Sequence, residues 1–255
     1  FNVNYTNTNL AGGETLRSIY RTRPTTRCFD DNNEPIFWLS TYETQIPNPY
    51  FEKDNSIRMN RRIQGWGNVF LEIKPLSFLI IKSDMKPSFN YQREGVFEDV
   101  YTKANAGRNP AFASLKKRSN FDYTWDNTIT VNKTIKKHRI NATALFSMQS
   151  KEEDWNYMEA EGMLWNTLWN NMGAADKVRD VNSSLTKISL MSVMLRLNYI
   201  YNNRYLFTLT GREDGSSRLS SGNKWGFFPS AAIGWVISEE NFMKNMNNLI
   251  LTLNL

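Results

Sequence analysis

Residues 121 to 135 alternate apolar and polar side chains, and no other feature of the chain restricts its folding as strongly. Phe121, Tyr123, Trp125, Ile129, Val131 and Ile135 fall on one parity, and Asp122, Thr124, Asp126, Thr128, Thr130, Asn132 and Thr134 on the other. Successive strand residues point to opposite faces, so this run makes a long strand with one apolar and one polar face, whereas a helix would mix the two sets. After a basic link at Lys136 to Arg139 the alternation resumes with Ile140, Ala142, Ala144, Phe146 and Met148 against Asn141, Thr143, Ser147 and Gln149, which predicts a hairpin. A second hairpin carries Met191, Val193, Leu195, Leu197, Tyr199 and Tyr201 into Tyr205, Phe207 and Leu209. Its turn is Asn202–Asn203, a residue type that tolerates the positive φ of a two-residue turn.

Weaker alternation marks Phe1 to Asn9, Gly65 to Ile73, Leu76 to Tyr91 after a turn near Pro75, and a last strand, Leu249 to Leu255. The result is an all-β chain of about nine strands. Short links (74–77, 136–139, 202–203) alternate with long ones (10–62, 92–120, 150–187). A soluble sandwich has no reason for that order, but an outer-membrane barrel has short turns on one rim and long loops on the other. In the third long link, Leu164, Trp165, Leu168, Trp169 and Met172 lie at helical spacing before Gly173, which predicts a loop helix.

The run Trp225 to Ser238 sets Trp225, Phe227, Pro229, Ala231, Ile233, Trp235 and Ile237 against Gly226, Ser230, Ala232, Gly234 and Ser238. From Trp225 to Trp235 it covers about 33 Å, or about 23 Å along a barrel axis at a tilt of about 45°. Aromatic girdles border an apolar band about 25 Å tall, so the two tryptophans lie at the spacing of interface residues. Ile233 is read as lipid-facing and near mid-strand. On the other parity, Asp122, Asp126, Arg196 and Arg212 would face an aqueous interior.

Composition removes most chemistry. The chain holds one cysteine, Cys28, so no internal disulfide or Cys-based zinc site is available, and one histidine, His138, which leaves little for metal ligation or a Ser-His-Asp arrangement. His138 reads as a turn residue. Asp30 to Glu34 lacks the spacing and terminal Glu of a calcium-binding EF-hand loop. No catalytic residue, metal site or cofactor is assigned. The net charge of +6 is scattered rather than clustered, which argues against nucleic acid. Apolar runs such as Phe78 to Ile81 are far shorter than the about 20 residues of a membrane-spanning helix, a limit that does not apply to barrel strands.

The stretch from Arg204 to Met243, RYLFTLTGREDGSSRLSSGNKWGFFPSAAIGWVISEENFM, resembles the signature region of the SusC/RagA family of TonB-dependent outer-membrane transporters of Bacteroidetes. Arg212, Asp214, Gly215, Ser216, Ser217 and Arg218 match its arginine and Asp-Gly-Ser-Ser-Arg turn. Trp225, Gly226, Phe228, Pro229, Ser230, Gly234, Trp235, Ser238, Glu239 and Phe242 follow in register. Tyr123 to Gln149 resembles another hairpin of these barrels, and Asn48 to Glu52 a segment before an earlier strand. Glu213 and Leu219 depart from the family pattern at the loop end of the strand.

The resemblance implies part of a large antiparallel transmembrane β-barrel of about 22 strands, with long extracellular loops and short periplasmic turns. No plug sequence or TonB box is identifiable, so residues 1–255 are expected to be an interior portion of the barrel domain. The implied function is TonB-dependent import of glycans or peptides across the outer membrane, without covalent chemistry. The implied partners are a SusD-like lipoprotein, outer-membrane lipid, and the TonB–ExbB–ExbD complex through N-terminal parts outside this chain. The alternatives are a non-energised porin or adhesin barrel and a soluble carbohydrate-binding sandwich. Trp155, Trp165 and Trp169, in the link read as a loop, are the candidate substrate-stacking residues. A segment of this kind expressed alone has open sheet edges and a bare apolar face, and should need detergent or aggregate. A reversible, monomeric, two-state melt in plain buffer would contradict the barrel reading.

Overall fold

The computed structural model describes residues 1–11, 19–20, 22–39, 47–163 and 167–244. The strands are β1 (Asn2–Ala11), β2 (Ser56–Trp66), β3 (Val69–Leu76), β4 (Leu79–Glu98), β5 (Phe112–Ile135), β6 (His138–Met163), β7 (Ala175–Tyr201), β8 (Tyr205–Ser216) and β9 (Trp225–Trp235), with short helices α1 (Pro49–Asn55) and α2 (Asn241–Lys244). They form one antiparallel sheet in which chain order is spatial order. β2 and β3 share one edge of β4 in a common register, Trp66 facing Ser88 and Val69 facing Met85. The break between them faces Pro87, which has no N–H to return to the ladder, although Gly67 N–H still donates to the Pro87 carbonyl at 3.0 Å. The Gly65 to Ile73 run therefore spans a real but interrupted strand. No helix among the described residues is long and apolar enough to cross a membrane.

Three strands are far longer than their alternating cores. β5, β6 and β7 have 24, 26 and 27 residues, where about 9–11 would cross a bilayer. Pairing of β6 with β7 runs from His138–Tyr201 to Met163–Ala175, so the links read at 92–120 and 150–187 shrink to 99–111 and 164–174. The physical reason is that charged residues occupy both faces of 113–120 and 151–161, which removes the alternation while the backbone ladder continues. Among the described residues 167–174 the expected loop helix does not form: Leu168 has a φ of 55°, Trp169 lies in a turn, and Met172–Ala174 makes a 3₁₀ turn. Residues 164–166 and the expected strand at 249–255 lie outside the described residues.

Cross-strand pairing carries the parity across the whole sheet. Ile81, Ile129, Ala144, Leu195 and Gly211 are successive neighbours along one row, and Val131, Ala142, Leu197, Leu209 and Ala231 along the next. Among the described residues no second layer covers this apolar face: Ile233 is 80 %, Phe227 66 % and Leu209 60 % exposed. A sandwich would bury its apolar parity against a partner sheet.

Aromatic residues edge the band on both sides. Toward the long loops are Phe89, Phe121, Tyr123, Trp125, Trp225 and Phe227, and toward the short turns Tyr199, Tyr201, Tyr205, Phe207 and Trp235. His138 belongs to the second girdle rather than to a turn. It begins β6, shares a 2.7 Å hydrogen bond with the Tyr199 hydroxyl and lies against Tyr201, while the turn itself is Lys136–Lys137. Asn202 and Asn203 take positive φ as their residue type predicts. Glu240 ties the end of β9 to β8, accepting from the Tyr205 hydroxyl at 2.7 Å and the Trp235 indole at 3.2 Å, with Arg204 at 2.9 Å.

Above the long-loop girdle the same face becomes charged, beginning at the Lys187–Glu152 pair at 2.9 Å. Higher still, Met59, Phe97, Ala111, Ala113, Ala160, Trp169 and Met172 form a small buried cluster. Trp169 lies flat over Gly95, where a Cβ would come within 2.3 Å of its ring.

Register also revises the depth of Ile233. It pairs with Phe207, beside Tyr199, and so lies at the short-turn girdle, while Leu209, between Leu197 and Ala231, occupies the middle of the band. In the full-length barrel in lipid, Leu209→Arg should cost about 2–4 kcal/mol, Ile233→Arg less, and Ala232→Arg on the polar face least. Unfolding free energies of the three variants check the order, and equal losses would contradict the assignment of faces.

Candidate functional site

The opposite face is mostly polar, with Leu145, Met194 and Phe228 along one row, and its polar side chains are linked across strands. Near the short turns, Asn198 Nδ2 donates to Asn141 Oδ1 at 3.0 Å, Thr208 Oγ1 donates to Asn198 Oδ1 at 2.9 Å, and Asn132 and Asn141 are also hydrogen-bonded. One level up, Arg196 Nε donates to Thr210 at 3.3 Å. Lys86 Nζ reaches Asp126 at 2.8 Å, Ser147 Oγ donates to Asp126 at 2.6 Å, and Lys82 pairs with Asp84 at 3.2 Å. Toward the long loops, Arg212 Nε contacts both Asp214 oxygens at 2.8 and 2.9 Å and its Nη2 donates to Ser192 at 3.3 Å.

Asp84 Oδ1, Asn120 Oδ1 and Asp122 Oδ1 are buried on this face without a hydrogen-bond partner among the described residues. Buried acceptors are rarely left unsatisfied, so this face is suited to water or to donors seated against it.

The tall part of the wall, beyond the apolar band, carries a different mixture. Gln92, Glu94, Lys116, Arg118, Glu153 and Trp155 share the polar parity on adjacent strands. Lys116 Nζ sits 5.8 Å from the Trp155 ring centroid, and Arg118 Nε 3.5 Å from Glu153. Above them a β-bulge between Glu159 and Ala160 shifts the β6–β7 register. A one-residue slip exchanges the faces, and Arg179 points to the polar side, 3.1 Å from Glu159 and 3.2 Å from Glu161. Its guanidinium lies over Phe112 at 5.4 Å. Tyr157 donates to Glu159, and burial, followed by the adjacent carboxylate, pushes the phenol up to about 12. The strip offers an aromatic face and alternating charges. Among the described residues, no group of three or more His, Cys, Asp or Glu is placed to hold a metal ion.

At the top corner, helix α1 and the 99–111 loop cover the end of β4. Asn48 caps α1 through the Tyr50 N–H at 3.0 Å and donates to the Cys28 and Ile36 carbonyls. Asn105 Nδ2 donates to the Glu98 and Asp99 carbonyls, both at 2.9 Å, and Glu52 accepts from the Lys103 N–H. Glu98 is 3 % exposed, accepting from Ser56 Oγ at 3.0 Å and paired with Arg58 at 3.4 Å. Burial, then the charge of Glu52, raises its carboxyl above the ordinary range against the opposing effects of Ser56 and Arg58.

Asp122, Asp126, Arg196 and Arg212 all lie on the polar parity, and Trp225, Ile233 and Trp235 on the apolar one. The three tryptophan candidates do not converge. Trp155 is a strand residue on the polar face, Trp169 is buried on the opposite face at 6 % exposure with no ring surface left for a ligand, and Trp165 lies outside the described residues. The signature run is not a turn up to Ser216: Arg212, Asp214, Gly215 and Ser216 are still in β8, and the link begins at Ser217. The charged strip at Lys116, Arg118, Glu153, Glu159 and Arg179 was not singled out from sequence, because charges on both faces hide its parity. Its signal is register alone.

A single antiparallel sheet with an exposed apolar band, girdles at both edges and a polar reverse face defines the wall of an outer-membrane-type β-barrel. No protein-family profile matches the chain. Among curated proteins it is 28 % identical over 239 residues to TonB-dependent receptor P3 of Formosa agariphila, covering 93 % of this chain and 24 % of the relative. It is 33 % identical over 186 residues to TonB-dependent receptor P26 of the same organism, covering 70 % and 18 %. It is 49 % identical over 89 residues to TonB-dependent receptor SusC of Bacteroides thetaiotaomicron, covering 35 % and 9 %. The RagAB peptide transporter superposes with a TM-score of 0.69 at 18 % identity, covering 85 % of this chain and 24 % of that one. The chain belongs to the SusC/RagA family of TonB-dependent transporters, as part of the barrel. It spans about a quarter or less of the length of these relatives.

Because Glu98 is neutral to higher pH when folded than when unfolded, its contribution to the corner is complete below the unfolded carboxyl value, about 4.5, and is lost as pH rises through the folded value. Amide exchange of Ala106 and Gly107, corrected for intrinsic rates, should quicken over that rise in the full-length protein. Glu98→Gln should remove the pH dependence; persistence of it in the variant would assign the effect elsewhere.

Proposed function

We propose that the full-length protein carrying this chain is an outer-membrane importer, energised through the TonB–ExbB–ExbD complex and working with a SusD-like lipoprotein, with a glycan or peptide as its cargo. The observation that carries this reading is the two-faced wall, apolar outside and polar inside, on a chain of this family. The polar face, with Asp122, Asp126, Arg196 and Arg212, is the lumen wall, and its orphaned acceptors are met by water or by a plug supplied by other parts of the protein. The long-loop rim faces outward from the cell, the short turns face the periplasm, and no step of the function makes or breaks a covalent bond. Trp155, with Lys116 beside it, is the aromatic platform that cargo meets on entry.

Uptake of labelled oligosaccharides and peptides by cells carrying the full-length gene tests the reading. Accumulation should stop when the proton-motive force is collapsed or TonB is removed, and Trp155→Ala should weaken cargo binding roughly fivefold without loss of barrel assembly. An open, energy-independent conductance of the purified protein in a planar bilayer would favour the porin reading instead.

A further inference from the structure

Just beyond the apolar band, one row of the outward face collects positive charge. Arg61 on β2 pairs directly with Arg93 on β4, and Arg93 with Lys117 on β5. All three share the parity of Ile63, Tyr91 and Phe121, the exposed residues that top the band on these strands. The side chain of Arg93 lies on that face, since its Nη2 donates to Asn170 Oδ1 at 3.4 Å, next to Trp169 on the outer side of Gly95. Like charges directly opposite one another across a ladder are destabilising. Among the described residues, none of the three cations has a carboxylate partner, and Arg93 Nε has no hydrogen-bond acceptor. The outward carboxylates of β6 are engaged elsewhere: Asp154 accepts from Asn156 Nδ2 at 3.4 Å, and Glu152 holds Lys187 at 2.9 Å.

Arg61 and Arg93 are the next outward residues beyond Ile63 and Tyr91. A two-residue step rises about 7 Å along a strand, or about 5 Å along a barrel axis at a tilt of about 45°. That height falls in the headgroup layer, because a hydrocarbon core about 30 Å thick lies within a bilayer of about 40–45 Å. Neighbouring strands are about 4.8 Å apart, so the row spans about 10 Å, wider than one phosphate. We propose that it binds an outer-leaflet lipid whose headgroup carries two phosphates, which lie across Arg61, Arg93 and Lys117 while the acyl chains descend along Ile63, Tyr91 and Phe121. Continuity of the row with the lipid-facing band below it selects a lipid over a free anion or an acidic soluble protein. The proposal rests on the barrel reading above, with the long-loop rim outward.

The full-length protein is placed in phosphatidylcholine nanodiscs containing equal amounts of bis-phosphorylated lipid A and the same lipid with its phosphates removed, and the lipids retained on release are counted by native mass spectrometry. Heat-modifiable mobility is recorded first for every variant, because failure to insert would count against the barrel reading rather than against the site. The phosphorylated form should be retained about tenfold or more over the dephosphorylated one, the effect of several cations at a charged headgroup. Arg61→Gln combined with Lys117→Gln, both at exposed positions, should reduce the preference to about threefold or less. Lys137→Gln, at the exposed short-turn rim, should leave it intact. Equal retention of the two lipids by the unmodified protein, an unchanged preference in the double variant, an equal loss in Lys137→Gln, or displacement of the lipid by millimolar inorganic phosphate would overturn the proposal.

Discussion

Every peptide group that enters hydrocarbon must find its hydrogen-bond partner within the protein, and this constraint organises the whole chain. The cost of an unpaired N–H or C=O in lipid is several kcal/mol, so the backbone is committed to an unbroken ladder before any side chain is considered. Once strands are paired in chain order, a period of two in the sequence becomes a difference between two surfaces of the wall. The interruption at Gly67–Asn68 shows how strictly the ladder is kept, because the strand loses the Pro87 donor yet resumes on the far side in the same register.

The same ladder, carried past the apolar band, holds a mixed aromatic and charged strip above it. β5, β6 and β7 keep pairing for many residues after the apolar band ends, so Lys116, Arg118, Glu153 and Trp155 stand on strands rather than on loops. Their spacing is set by cross-strand distances and not by loop conformation, which limits the entropy lost when something binds. The bulge above them brings Arg179 to the same side as Glu159 and Glu161 and extends the charged column to the top of the wall.

The sequence was readable where one face meets lipid and the other does not. The hairpins 121–149 and 191–209 and the strand from Trp225 were legible from alternation alone, and the Asn202–Asn203 turn from residue chemistry. Legibility ended at the membrane surface: with water on one side and charges on both, Phe112–Asn120 and Lys151–Met163 look like loop although they are strand. Trp155 stands out by residue type, but its place on a strand does not. Helical spacing around Trp169 is overridden by its cluster: the indole is buried over Gly95 while a single turn closes locally from the Asn170 N–H to the Thr167 carbonyl at 3.1 Å. The depth of Ile233 needed register, because only pairing with Phe207 shows how near the edge it lies.

The burial of Trp169 on the outer side fixes where the crown of the wall places its bulk. With its indole packed over Gly95, the 167–174 segment leans against the outward face of β4, like a shutter folded back against a façade, and so does not lie over the polar face.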